Sequence, residues 1–207
     1  MGLLNLLLKD PLTFVLLAIP LMYSVVLHEL AHGWVAWRMG DPTAKWQGRL
    51  SLNPLRHLDP IGTIMLFLFG FGWARPVPVN FNYIRDTKKG LILVSSAGII
   101  TNMILAFLAF FVFRLLSPAP GTATATLLYY LAQINIMLAA FNLIPIPPLD
   151  GSKILMGFLP ERWQYALSRI EPYGFFLIIG LLFLGALNPL IAFFRGIILT
   201  VIRILLP

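Results

Sequence analysis

The sequence predicts an all-α polytopic membrane protein, a helical bundle of about five to six transmembrane segments with a small interfacial or re-entrant β element. Composition is the first reason: 59% of the 207 residues are hydrophobic, only 11% are charged, and the mean hydropathy is +0.87. Those values lie far from a soluble domain with a charged surface. The second is run length, because residues 11–39, 90–116, 124–144 and 173–206 form apolar stretches long enough to cross a hydrocarbon core of about 30 Å at about 1.5 Å per residue. The third is punctuation, since Gly and Pro clusters separate those stretches. No internal repeat is visible, and residues 1–207 are expected to form a single integral-membrane domain.

Taken in order, residues 1–10 make a short amphipathic start, and residues 11–39 the first span, ended by Gly40-Asp41-Pro42. That run lacks a small-residue cleavage site followed by polar sequence, so it is expected to stay as a membrane helix. Residues 43–58 are mixed and contain Pro54, which predicts a short strand or hairpin at the interface. Residues 61–71 are apolar but too short to cross and should be re-entrant or interfacial. Residues 72–80 carry Pro76 and Pro78 between alternating valines, the pattern of an extended edge strand. Residues 90–116 and 124–144 are the next two spans, joined by Ser117-Pro118-Ala119-Pro120-Gly121. Three prolines at 145, 147 and 148 then break the helix, and broken backbone at membrane depth implies a cavity or a site. Residues 152–169 are expected to lie as an amphipathic helix at the interface. Residues 173–206 should form a helical hairpin interrupted at Asn188-Pro189.

The chemistry concentrates in His28-Glu29-Leu30-Ala31-His32, inside the first span. Residues four apart share a helix face, so His28 and His32 can turn ring nitrogens toward one ion, and Glu29 reaches the same face as a general base. Ionisable groups in an apolar run are costly unless they share a partner, and zinc supplies one. The chain has no cysteine, so a third ligand must be a carboxylate or the remaining histidine. Among eight carboxylates, Asp10, Asp41, Asp86, Glu161 and Glu171 sit beside basic or breaker residues, where a solvated position is expected. Asp59, next to His57, is a weaker candidate, for a second ion site or a gate, with a loop hydrogen bond as the plainer role for His57. Asp150 follows the proline-broken run and precedes Gly151, so a rigid loop can present it to the bundle. Capping the helix that follows is its alternative role, and the two are compatible.

These residues resemble the site-2 protease family of intramembrane zinc metalloproteases, and particularly its short prokaryotic members. The resemblance rests on His28-Glu29-Leu30-Ala31-His32 together with Asn142-Leu143-Ile144-Pro145-Ile146-Pro147-Pro148-Leu149-Asp150-Gly151. Residues 49–62 and 71–80 also resemble the short members. It implies zinc ligation by His28, His32 and Asp150, catalysis by Glu29, and a substrate-holding or oxyanion role for Asn142. One departure is Gly98-Ile99-Ile100-Thr101-Asn102, with isoleucine where the family commonly has proline. Gly98 and Asn102 are read here as helix packing plus one inter-helix hydrogen bond.

Convergence of His28, His32 and Asp150 requires the first and third spans to run in the same direction, so residues 61–71 should not cross the bilayer. The basic residues from Arg38 to Lys89 and from Lys153 to Arg169 then share one side, against Lys9 and Arg114 on the other. The positive-inside rule names the crowded side as cytoplasmic, in a cell membrane, with the N-terminus outside. The net charge of +7 is thereby assigned to lipid headgroups and topology, with no nucleic acid as partner. The expected activity is hydrolysis of a peptide bond in or near the transmembrane segment of a single-pass protein or membrane peptide, that is, regulated intramembrane proteolysis. The alternatives are a zinc transporter or sensor, disfavoured by the lack of repeated halves, and a catalytically silent helix-binding homologue, disfavoured by the intact Glu29.

Overall fold

The computed structural model describes residues 2–206, which contain nine α-helices and no named strand. They are α1 (Leu3–Lys9), α2 (Pro11–Arg38), α3 (Thr43–Trp46), α4 (Pro60–Phe69), α5 (Thr87–Leu116), α6 (Ala123–Asn142), α7 (Asp150–Phe158), α8 (Glu161–Phe183) and α9 (Asn188–Leu205). Among the described residues, α2, α5, α6, α8 and α9 are long and apolar enough to cross a membrane. The chain is therefore an integral, multi-pass membrane protein.

Helix starts follow local capping chemistry. Asp10 accepts the Thr13 N–H ahead of α2, where Pro11 occupies the first helical position. Asp59 caps α4 through Gly62, Asp86 caps α5 through Lys89, and Thr122 caps α6 through Ala125. Each side-chain oxygen satisfies an amide that the first helical turn leaves without a partner.

α5 is the hub and packs against α2, α6 and α7. Small side chains let these helices approach closely: Ala36, Ala106, Ala139 and Ala140 are wholly buried, where lipid supplies no hydrophobic drive and backbone proximity must supply packing. Ile99, Ile136, Ile198 and Ile202 extend this core across α5, α6 and α9. Many large apolar side chains on α8 and α9 face outward, as lipid-facing positions should.

Three expectations are corrected. Residues 43–58 form the single turn α3 and a 3-10 turn at Pro54–Arg56 rather than a strand or hairpin. Turn chemistry dominates there: Asp41 accepts the Thr43 N–H and Asn53 accepts the Leu55 N–H, so the backbone turns at both places instead of extending. The β element reduces to one antiparallel bridge, Leu58 with Ala74. Finally, the amphipathic segment and the hairpin divide differently. The break falls at Leu159–Pro160, and α8 runs unbroken through Pro172 before the turn ahead of α9.

Two topological expectations hold. α4 has ten residues, about 15 Å of helix, so it does not span. Only α5 then crosses between α2 and α6, and the site side of α2 meets the segment that follows α6.

Candidate active site

His28 and His32 lie one turn apart on α2, both buried, with their Nε2 atoms 3.0 Å from each other. Asp150 opens α7, and its Oδ2 lies 3.2 Å from His28 Nε2 and 3.1 Å from His32 Nε2. The proline-broken loop turns the chain back after α6 and delivers this carboxylate. No side chain caps α7, so Asp150 faces the imidazoles and does not serve as the cap.

The outer nitrogens decide what the inner ones offer. His28 Nδ1 lies 2.6 Å from Asn102 Oδ1, and His32 Nδ1 lies 2.7 Å from the Val94 carbonyl. Both facing atoms are acceptors, so in the neutral rings each proton sits on Nδ1 and each Nε2 presents a lone pair. Asp150 Oδ2 is buried and no donor reaches it. Three acceptors within 3.2 Å of one another repel unless a metal ion or a proton lies between them. The spacing is close to the about 3.3 Å separating two ligands of a tetrahedral ion bound at about 2.0–2.1 Å. Among the described residues, His28, His32 and Asp150 form the group able to hold a metal ion, and their donor chemistry fits zinc.

Gly98 on α5 lines this group closely. A Cβ there would stand 2.5 Å from His28 Cε1 and from His32 Nε2. Its packing role is thus against the rings themselves.

Glu29 sits beside the group and accepts the Val77 N–H at 2.7 Å through Oε2. Both histidines, Glu29, Asp150, Asn142, Lys153 and Val77 line one cavity of about 210 Å³. The wall formed by residues 75–80 contains no helix and is pinned along its length. Arg75 donates its N–H to the His57 carbonyl at 2.8 Å and accepts from Arg49 Nη2 at 2.6 Å, and Asn80 donates to Asp41 Oδ2 at 2.7 Å. Burial and the neighbouring Arg75 charge push the Arg49 guanidinium below its ordinary value, with Glu29 opposing that shift. Gly33 on α2 leaves room for Val77, whose Cγ1 would be 2.8 Å from a Cβ at that position.

The remaining candidates separate clearly. Asn142 lines the cavity, with its Nδ2 donating to the Leu138 carbonyl at 3.0 Å. His57 is buried, bonds the Ser51 carbonyl through Nε2, and lies outside that cavity, while Asp59 caps α4. They form no second ion site. Asp41 departs from its expected solvated position: it is 0% exposed and also accepts from Thr43. Asn102 does make its inter-helix bond, and that bond ends on a histidine of the site. Sequence reasoning missed Lys153, which stands three residues after Asp150 on the same helix face. It also missed the Val77 amide and the Val94 carbonyl, backbone groups that no side chain announces.

Comparison with known proteins identifies the family. A family profile described as Peptidase family M50 matches residues 117–185. "Putative zinc metalloprotease YwhC" of Bacillus subtilis is 44% identical over 166 residues, covering 77% of this chain and 76% of that protein. "Putative zinc metalloprotease Rip2" of Mycolicibacterium smegmatis is 30% identical over 84% of this chain and 69% of its own length. "Putative zinc metalloprotease MJ0611" of Methanocaldococcus jannaschii is 31% identical over 70% and 71%. No solved structure matches. With relatives this similar aligned over more than two thirds of their own length, the chain belongs to peptidase family M50.

Proposed function

We propose that this protein is an intramembrane zinc metalloprotease that hydrolyses a peptide bond in or near the transmembrane segment of membrane-protein substrates. His28, His32 and Asp150 hold the zinc and Glu29 is the catalytic base. The observation that carries this reading is the convergence of two imidazole lone pairs on a buried carboxylate oxygen that no donor reaches, next to a second carboxylate in one cavity. When bound, zinc supplies Lewis acidity, polarising the scissile carbonyl and lowering the pKa of the attacking water.

Glu29 takes the proton from that water and passes it to the leaving amine. Its Oε2 is held by the Val77 amide, which fixes the carboxylate at the cavity wall and leaves Oε1 for proton transfer. Asn142 lines the cavity where a substrate backbone or oxyanion would lie. A helical substrate hides its amides in internal hydrogen bonds, so it must be extended before cleavage. Residues 75–80 offer a template for strand addition, with residues 43–52 as a neighbouring surface. Pro76 and Pro78 lack N–H groups, so the edge carrying them accepts hydrogen bonds through its carbonyls but donates none there.

Residues 1–207 act together as one membrane unit. His28 lies about 25 Å along α2 from Pro11 and about 15 Å from its far end, which places the site below one membrane surface. The excess of Lys and Arg on the near side makes that surface cytoplasmic in a cell membrane. The partner is a single-span protein or membrane peptide.

The test is cleavage of a model single-span substrate by purified protein in proteoliposomes, with and without a zinc chelator, comparing wild type with Glu29→Gln. The expected result is cleavage by the wild type alone, abolished by chelation, with zinc retained in Glu29→Gln. Zinc uptake into the vesicles without cleavage would replace the protease reading with a transporter, and zinc-independent substrate binding without cleavage with a silent homologue.

A further inference from the structure

Behind the site, a line of buried polar side chains crosses three spanning helices. Asn102 on α5 and Asn135 on α6 are both 0% exposed, and Ser24 on α2 is 1% exposed. Asn135 Nδ2 lies 2.7 Å from Ser24 Oγ and 2.8 Å from the Leu131 carbonyl. Asn102 Nδ2 lies 2.7 Å from Asn135 Oδ1 and 3.5 Å from the Ser24 carbonyl, and Asn102 Oδ1 meets His28 Nδ1.

The order of these contacts settles which way each amide points. An amide can be turned by half a rotation with little change in shape, so hydrogen-bond partners must decide its orientation. The Leu131 carbonyl only accepts, which compels Asn135 to put its NH2 on that side and its oxygen toward Asn102. Asn102 must then donate to Asn135 and face His28 with its oxygen. An oxygen there needs a proton on Nδ1, which leaves Nε2 as a lone pair directed at Asp150. Turning Asn102 alone would set NH2 against the Nδ1 proton of His28 and oxygen against oxygen at Asn135. At this depth neither clash can be relieved by water.

We infer that Asn102 is the positioning residue for His28 and that Asn135, anchored on α6, locks Asn102, so that the line from α6 presets the nitrogen His28 offers to the metal. The inference rests on the reading of His28 as a zinc ligand. Outer-shell partners of metal-binding histidines fix tautomer and ring orientation, and losing one typically weakens metal binding by about 10–100-fold. Apolar replacement at either Asn preserves bulk, so its effect reports on the hydrogen bond and not on a cavity.

The experiment uses the full chain in detergent and measures zinc affinity by chelator competition, with the Co²⁺ absorption spectrum as a second readout. Asn102→Leu is expected to weaken zinc by about 10–100-fold and Asn135→Leu by about 10-fold, each with an altered Co²⁺ spectrum. Asn102→Asp keeps an acceptor for Nδ1 but sets oxygen against oxygen at Asn135, so its zinc affinity should fall between those of Asn102→Leu and the wild type. The chain has three histidines, so histidine-selective ¹⁵N labelling of the wild type reads the tautomer directly, whether or not the Leu variants fold. Metal-free His28 should be protonated at Nδ1. Folded Leu variants with wild-type zinc affinity, or a metal-free His28 protonated at Nε2, would overturn the inference. Wild-type zinc affinity in His28→Ala would instead overturn the zinc-ligand reading on which it rests.

Discussion

Glu29 accepts the backbone N–H of Val77 at 2.7 Å, so the acid of the metal motif and the proline-bearing wall are one hydrogen-bonded unit. Removing the Glu29 charge while keeping its shape isolates its role. Glu29→Gln should lower cleavage by about 10²–10⁴-fold while zinc content, measured by elemental analysis, stays at the wild-type level. Loss of zinc together with activity would show instead that Glu29 acts on the metal site as a whole.

The same contact separates two proline variants. Val77→Pro deletes the donor that holds Glu29 and should lower kcat by about 10²-fold, the scale of a catalytic group displaced by about 1 Å. Val79→Pro leaves that donor in place and alters the wall beyond it, so it should act mainly on KM through substrate pairing. An unchanged KM in Val79→Pro would rule out strand addition on this wall.

Gly98 tests how tightly α5 backs the imidazoles. Gly98→Ala places a Cβ 2.5 Å from His28 Cε1 and His32 Nε2, closer than any real side-chain carbon sits. The rings must turn or the helices part, and zinc affinity should fall by at least about 10-fold, the scale of a disturbed ligand orientation. Chelator competition reads it, and unchanged affinity would mean the helices yield without moving the site.

Asp41 is the buried clasp between the end of α2 and the wall, accepting from Asn80 and Thr43. Asp41→Ala leaves those donors without partners and should cost about 2–4 kcal/mol of stability, read from unfolding in detergent. Cleavage should fall with it, because the wall loses its far anchor.

Much of this arrangement is legible in the sequence. His28 and His32 stood out because an i, i+4 histidine pair in an apolar run has few other uses, and Asp150 because three prolines expose the backbone just before it. The short apolar segment that became α4 was legible from its length alone. Asp41 was not, since a carboxylate between Gly40 and Pro42 has the same local signature whether solvated or folded under a neighbouring segment. The failed strand at residues 43–58 shows that a segment too mixed and proline-broken for a long helix need not be a strand, because turns serve it equally well. Asn102 was visible as a buried inter-helix donor and acceptor, but spacing along α5 does not say which group it meets on α2. The Val77 amide and the Val94 carbonyl were beyond reach, because backbone groups carry no residue identity.

Zinc K-edge absorption on purified protein, wild type beside Asp150→Ala, tests the centre of the account. The wild type should hold one zinc per chain with imidazole nitrogens at about 2.0–2.1 Å and a carboxylate oxygen at about 2.0–2.2 Å, and Asp150→Ala should lose that oxygen and most of its zinc. An unchanged spectrum and full zinc occupancy in Asp150→Ala would contradict it.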